Sequence, residues 1–491
     1  MAVEDVGDDY TKDGTVGNRV RRSQRGRWKA CSFVVDLTGI WNVNMIIVYE
    51  VFERMAYYGI SSNLVIYMTT ILHQGTVKSS NNVTNWVGTS WLTPILGAYV
   101  ADAHLGRYIT FVISSVIYLL NLIYSCDQYT DVEGLAFSIF IFLLGTPLYR
   151  HKLPMGSPFT KMARVIVASL RKARAPMSYG STRMHELPPS EYASKGAFPI
   201  HSTPSLRFLN RASLKTGPTN KWSLCTITEV EETKQMLKMI PVLVVTFVPS
   251  MMLAQIMTLF IKQGTTLDRR LTNNFSIPPA SLLGFTTFSM LVCIVIYDRF
   301  FVKLTRRFTG NPRGITLLQR MGIGMVLHII IMIIASITER YRLKVAAEHG
   351  LNHQTAVPIP LSIFLLLPQY VLMGLADAFI EIAKLEFFYD QAPESMKSLG
   401  TSYTTTSMAV GNFMSSFILS SVSQITKNQG RGWILNNLNE SRLDKYYMFF
   451  AVLNLVNFLL FLVVITFYEY RADVTDSAEH KEPRMIDNNN E

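Results

Sequence analysis

Charge is what this sequence has little of. Only 16% of its 491 residues are Asp, Glu, Lys or Arg, against about 25% in an ordinary soluble domain. The shortage is uneven: charges gather near the N-terminus, in a long middle segment and at the C-terminus. Between them run apolar stretches of about 20 residues or more, enough to cross roughly 30 Å of hydrocarbon. A soluble core of this length has no need of so many, so the chain reads as an integral membrane protein. Cysteine is scarce too. Cys31, Cys126, Cys225 and Cys293 are scattered, with no CxxC pair, and point to neither a metal site nor a disulfide framework. No charged-then-apolar leader pattern occupies Met1 to Lys29, so the first span is expected to act as the insertion signal itself. No GxSxG, HExxH or glycine-rich phosphate loop supports an enzyme. The net charge of +11 would suit nucleic acid, but the basic residues lie in loops between spans. Lys and Arg in such loops fix membrane orientation, so nucleic acid is not an expected partner and membrane lipid is.

Four spans are expected in the N-terminal half, over residues 39–72, 86–105, 108–125 and 134–148, the last short for a crossing. Residues 151–236 break the pattern, with thirteen Lys and Arg against five Asp and Glu. Within them Pro158 to Lys172 is amphipathic, with Met162, Val165, Ile166 and Leu170 at helical spacing. It suits either a solvated loop helix or one lying on an anionic membrane surface. Six further spans are expected over residues 239–261, 278–302, 315–337, 359–382, 401–425 and 447–468. The organisation is then a cytoplasmic segment (1–38), an incomplete N-terminal helix bundle (39–150), a basic cytoplasmic linker (151–236), a six-helix bundle (237–470) and a cytoplasmic tail (471–491). Two-bundle transporters place substrate between their halves, near the bilayer midplane.

Three stretches carry chemistry. In YEVFERMAYYG, Glu50, Glu53 and Arg54 stand at i, i+3 and i+4 and share one helical face, with Tyr57 and Tyr58 one turn on. Each intramembrane charge costs at least ~2.5 kcal/mol on insertion scales and turns toward a polar cavity. A helix-end cluster outside the membrane core is the alternative, and the apolar residues from Leu64 to Met68 argue against it. Two carboxylates beside one arginine can take up a proton and release the arginine to another partner. In GAYVADAHLGRY, Gly97, Asp102, Gly106 and Arg107 form GxxxxDxxxGR, a latch-like loop between two spans. Asp298, Arg299, Arg306 and Arg307 fall in the matching place of the other half, either as an internal repeat or as ordinary positive-inside charges. In GLADAFIEIAKLEFFYDQAPESMKS, Asp377, Glu381 and Lys384 follow i, i+4, i+7, with Glu386 beyond them. Glu386 is exposed if the helix ends near Ala383 and intramembrane if it continues. These charges are mixed in sign, unlike the single-sign rings of a channel.

Taken together, ExxER with Tyr-Tyr-Gly, GxxxxDxxxGR and FYDQAPESMKS resemble the plant nitrate/peptide transporter family, the proton-dependent oligopeptide branch of the major facilitator superfamily, over nearly the whole chain. The nearest likeness is to its stress-induced plant peptide transporters. The resemblance implies an all-α, two-bundle fold of twelve spans in the family and about ten here, with alternating access driven by protons and no other cofactor. It implies that Glu50, Glu53 and Arg54 couple protons. Tyr57, Tyr58, Gln255, Lys384 and Glu386 would contact substrate, with Glu386 as the acid for a peptide amine. Gly97, Asp102, Gly106 and Arg107 would form the cytoplasmic latch. Three departures stand out. The family's fourth and fifth helices are missing after Ser125, along with the fourth-helix lysine that partners ExxER. Asp36 to Ile47 reads as an insertion. Ser61 stands where many peptide carriers have an arginine, and Leu253, not the histidine of some nitrate carriers, precedes Ala254 and Gln255. The expected activity is symport of small solutes, short peptides ahead of nitrate or another small anion, in the plasma or vacuolar membrane. The rival is a truncated, non-transporting relative that binds partners in the membrane or is a non-functional product.

Overall fold

The structure, a computed structural model, describes residues 49–125, 129–144, 157–174, 184–188, 200, 202–215, 220, 222–272, 274–310, 314–354, 357–428 and 432–470. The expected N-terminal segment (1–38), the Asp36–Ile47 stretch, Gly145–Lys152 and the tail from 471 lie outside those residues. The chain divides into two compact units, one built from residues up to Gly59 with Tyr108–Leu153, the other from Ile60–Arg107 with Pro154 onward.

In the first unit, α1 (residues 49–70, of which 49–59 belong here) lies with α3 (Arg107–Ser125, from Tyr108) and α4 (Tyr129–Leu144). Helix α4 begins five residues before the apolar run that announced it at Gly134, because the polar turn from Tyr129 to Glu133 carries no hydrophobic signal yet joins the helix. Aromatic rings hold this unit together. Tyr49 meets Phe111 edge-on at 4.8 Å, and Phe111 lies 4.3 Å from Phe142. Phe52 meets Phe137 at 6.3 Å. Ile113, Ile117, Leu120 and Phe140 are exposed, the outward apolar face that lipid solvates.

The second unit contains α2 (Thr76–Val100), α5 (Pro158–Arg171), α6 (Ile227–Val245 and Phe247–Gly264, bent by 43°), α7 (Pro279–Phe308), α8 (Leu317–Glu348), α9 (Ile363–Gln391), α10 (Lys397–Asn428) and α11 (Leu443–Thr466). Among the described residues, α7, α8, α9 and α11 are long and apolar enough to cross a membrane, and α6 makes a fifth if its two pieces form one span. Helices α2 and α10 are of spanning length, at 25 and 32 residues, but rich in Ser, Thr and Asn. Several of their polar groups bond inside the protein: Thr84 and Thr93 donate back to carbonyls four residues earlier, and Asn81 on α2 donates to Ser420 on α10 at 2.7 Å. Helices α6 and α8 open with capping boxes, Thr226 with Glu229 and Thr316 with Gln319.

Close approach of α7 and α9 depends on Gly374. A Cβ there would stand 2.1 Å from the Thr286 carbonyl oxygen and 3.0 Å from the Met290 nitrogen, both backbone atoms that cannot swing away. Small residues at such crossings are how membrane helices pack without a hydrophobic drive between them. Gly374→Ala is expected to lose most of the monodisperse protein recovered by size-exclusion chromatography, since overpacking costs about 1–3 kcal/mol or more. Recovery equal to the parent chain counts against this account.

The basic linker has a small core of its own. Part of the apolar face of α5 turns inward: Val165 and Ala168 are covered by Leu209, Ala212, Cys225 and Val230 of the same segment, while Leu170 is exposed. Lys172 closes the end of α5 by donating to the Leu214 carbonyl at 2.6 Å, and burial lowers its pKa. Burial, with Glu229 adding to it, pushes the Cys225 thiol up from 9.0 to about 11. A raised folded-state pKa contributes stability that is complete below the unfolded value and is lost as pH rises through the folded one. The linker core is therefore expected to hold Cys225 against maleimide up to about pH 9 and to release it between pH 9.0 and about 11. Rapid labelling of Cys225 at pH 7 in the folded chain contradicts this.

Candidate coupling and substrate site

In the first unit, one helical turn brings together the residues that its spacing announced. Arg54 Nε donates to Glu50 Oε1 at 2.9 Å and lies 3.4 Å from Glu53 Oε2. Glu50 is 53% exposed and Glu53 only 22%, so Glu53 is the more shielded carboxylate. Tyr49, just before them, hydrogen-bonds Ser115 on α3 at 3.1 Å and fixes the rotation of this turn. The rings of Tyr57 and Tyr58 meet edge-on at 5.5 Å. One arginine thus holds two carboxylates of unequal exposure.

In the second unit, the GxxxxDxxxGR stretch ends α2 as a five-residue π-helical segment, Ala101–Leu105. Gly106 follows at φ +79°, where a side chain would be strained. Arg107 approaches Asp102 at 3.5 Å. The other Asp102 oxygen accepts from Ser398 in the first turn of α10, a partner that sequence reasoning missed. The matching segment of α7, Tyr297–Phe301, is also π-helical, with Asp298 in the same second position. That shared geometry agrees with an internal repeat. Gly97 lies inside α2 with open space around it.

Helix α9 runs on to Gln391, so Glu386 lies within it. Lys384 is fully buried. Its ammonium contacts Glu381 at 2.7 Å and donates to Ser250 of α6 at 3.0 Å. Ser250 continues to Ser407 at 2.8 Å, and Ser407 to Thr246 at 2.9 Å, a chain of hydroxyls between α6 and α10. Gln255, 1% exposed, donates to Ser415 of α10 at 3.1 Å. Glu386 lies elsewhere: two residues past Lys384, it points to the other side of α9. It stands 3.7 Å from Arg320 of α8. That guanidinium also donates to the Ala378 carbonyl and covers the Tyr297 ring at 4.4 Å. Arg320 was visible as a charge in an apolar run and could have been found as a partner on that ground. The hydroxyl chain could not, since serines in a span carry no such cost.

Long apolar helices, buried charge pairs within them and a π-helical segment repeated in two places define an all-helical, multi-pass membrane protein. The solved structures agree on the fold. An auto-inhibited POT family peptide transporter matches with TM-score 0.61 at 17% identity, covering 87% of this chain and 97% of that one. The POT family transporter PepTSo matches with TM-score 0.61 at 17% identity over 90% and 99%. The PTR2 profile of the POT family matches residues 132–434, and the chain belongs to that family. It is 71% identical to Protein NRT1/PTR FAMILY 5.3 of Arabidopsis thaliana over 100% of both chains. With Protein NRT1/PTR FAMILY 5.2 of the same plant the identity is 62% over 99% of each. The first of these alignments runs over 598 positions against the 491 residues of this chain, so gaps fall inside the chain.

Proposed function

We propose that this chain carries the machinery of a proton-coupled symporter of small solutes, with di- and tripeptides favoured over nitrate, working by alternating access. The observation that carries the reading is Arg54 held between Glu50 and Glu53 at 2.9 and 3.4 Å. Protonating one carboxylate weakens its grip on the guanidinium, which then favours a different partner; a ligand or proton shifts a two-state equilibrium only through such a differential interaction. Leu253 in place of a histidine supports peptide over nitrate. Lys384 and Gln255 are proposed to face substrate in the open state, with Glu386 as the acid for an amine. The proposed location is the plasma or vacuolar membrane. The test is uptake of radiolabelled Ala-Ala into proteoliposomes, with and without an inward proton gradient. Gradient-driven accumulation of Ala-Ala that nitrate does not reduce is the expected result for a transport-competent form; accumulation indifferent to the gradient rejects proton coupling. A second reading, a truncated relative that no longer transports, is favoured by the gaps in the 598-position alignment.

The linker is proposed to sit in the cytoplasm, where its excess of Lys and Arg over acids places it. Protease added outside intact cells is expected to leave residues 151–236 uncut; cleavage there reverses the orientation.

A further inference from the structure

At the end of α6 remote from the linker lies a cavity of about 420 Å³, lined by Lys262, Thr265–Arg270, Ser276, Val357, Pro358 and Asn436–Asn439. The size falls within the roughly 300–1,000 Å³ of small-molecule sites. Its floor is rigid. Glu339 and Arg342 of α8, both fully buried, form a forked pair at 2.6 and 2.7 Å. Arg342 also donates to Asn439 at 2.7 Å, to the Leu438 carbonyl at 2.9 Å and to Thr266 at 3.1 Å. Gln263 donates to Glu339 at 2.7 Å. This one buried pair ties the end of α6 to the loop before α11, and the parallel pairing of Leu267–Asp268 with Ile359–Ser362 adds the third wall.

Three cations line the cavity: half-buried Lys262, and Arg269 and Arg270. None of them has an acidic partner within ion-pair distance among the described residues. The one acid in the lining, Asp268, accepts from the Arg270 backbone N–H at 3.1 Å. A half-buried ammonium without a counter-ion is unfavourable, and preformed donors around it cost no reorganisation when an anion arrives. Asn436 uses its side-chain oxygen to accept from Thr76 at 3.1 Å, which orients its amide N–H₂ as a further donor.

We propose that this cavity binds a small organic carboxylate, held by Lys262 and Arg269, at a site separate from Lys384 and the ExxER group. Binding here needs no transport, so it stands or falls independently of the proposed symport.

The test uses the full chain in nanodiscs of zwitterionic lipid, pulsed with sulfo-NHS-acetate, and reads acetylation of Lys262 by mass spectrometry. Lys344, 72% exposed on α8, is the internal reference. Saturating Ala-Ala is expected to slow labelling of Lys262 at least five-fold and leave Lys344 unchanged, while Ala-Ala-amide gives no protection. Arg269→Gln, an exposed position whose loss should leave the fold intact, is expected to raise the half-protecting concentration about ten-fold. Labelling of Lys262 at the same rate with and without Ala-Ala overturns the site. So does equal protection by the amide, or protection unaltered in Arg269→Gln.

Discussion

Uptake by this exact chain is expected to be close to background, and restoring about two spans between Tyr129 and Gly134, with sequence from a close relative, is expected to raise it at least ten-fold. The argument is specific to Arg54. Its two carboxylate partners, Glu50 and Glu53, stand on its own helix. A coupling device needs a second arrangement for the guanidinium to move to, and the family resemblance puts the lysine that creates that arrangement on a helix missing here. Lys384 is the intramembrane lysine that could substitute, but its ammonium is already engaged by Glu381 and Ser250. Loss of close packing and paired polar groups, more than loss of apolar burial, is what removing membrane helices costs. The measurement compares proton-driven uptake by the chain as it stands and the restored chain at matched surface expression. Equal uptake by both removes the case for the missing helices.

In the restored chain, Glu53→Gln is expected to abolish accumulation against a gradient, a loss of ten-fold or more, while substrate counterflow persists. Glu53 is the choice over Glu50 because it is 22% exposed where Glu50 is 53%, and shielding from water strengthens the response of a charge to its neighbours. Glutamine keeps the shape and one acceptor oxygen, so binding geometry survives while the proton site is lost. Glu50→Gln is expected to give a smaller defect. Accumulation that keeps its full pH dependence in Glu53→Gln would falsify the coupling role.

The grouping of proposed substrate residues looks different in three dimensions. Lys384 and Glu386 are neighbours in sequence, yet one belongs to the α6–α10 hydroxyl chain and the other to Arg320 on α8. A reading that treats them as one set joins two faces of a helix.

The apolar runs alone established that the chain spans a membrane many times, because no other solvent accommodates them. Helical periodicity alone put Glu50, Glu53 and Arg54 on one face, since their contacts reach no further than one turn. Helix lengths and termini were less legible where polar turns continue a helix, as at Tyr129–Glu133 and at Ala383–Gln391. Contacts over long sequence separations were decided only by tertiary structure: Asp102 with Ser398, Lys384 with Ser250, Arg320 with Glu386, Arg342 with Asn439. Which residue a charge meets across a helix interface depends on how each helix is rotated and how closely its glycines and serines let it approach. That rotation is set by the packing of the whole unit, and no single segment encodes it.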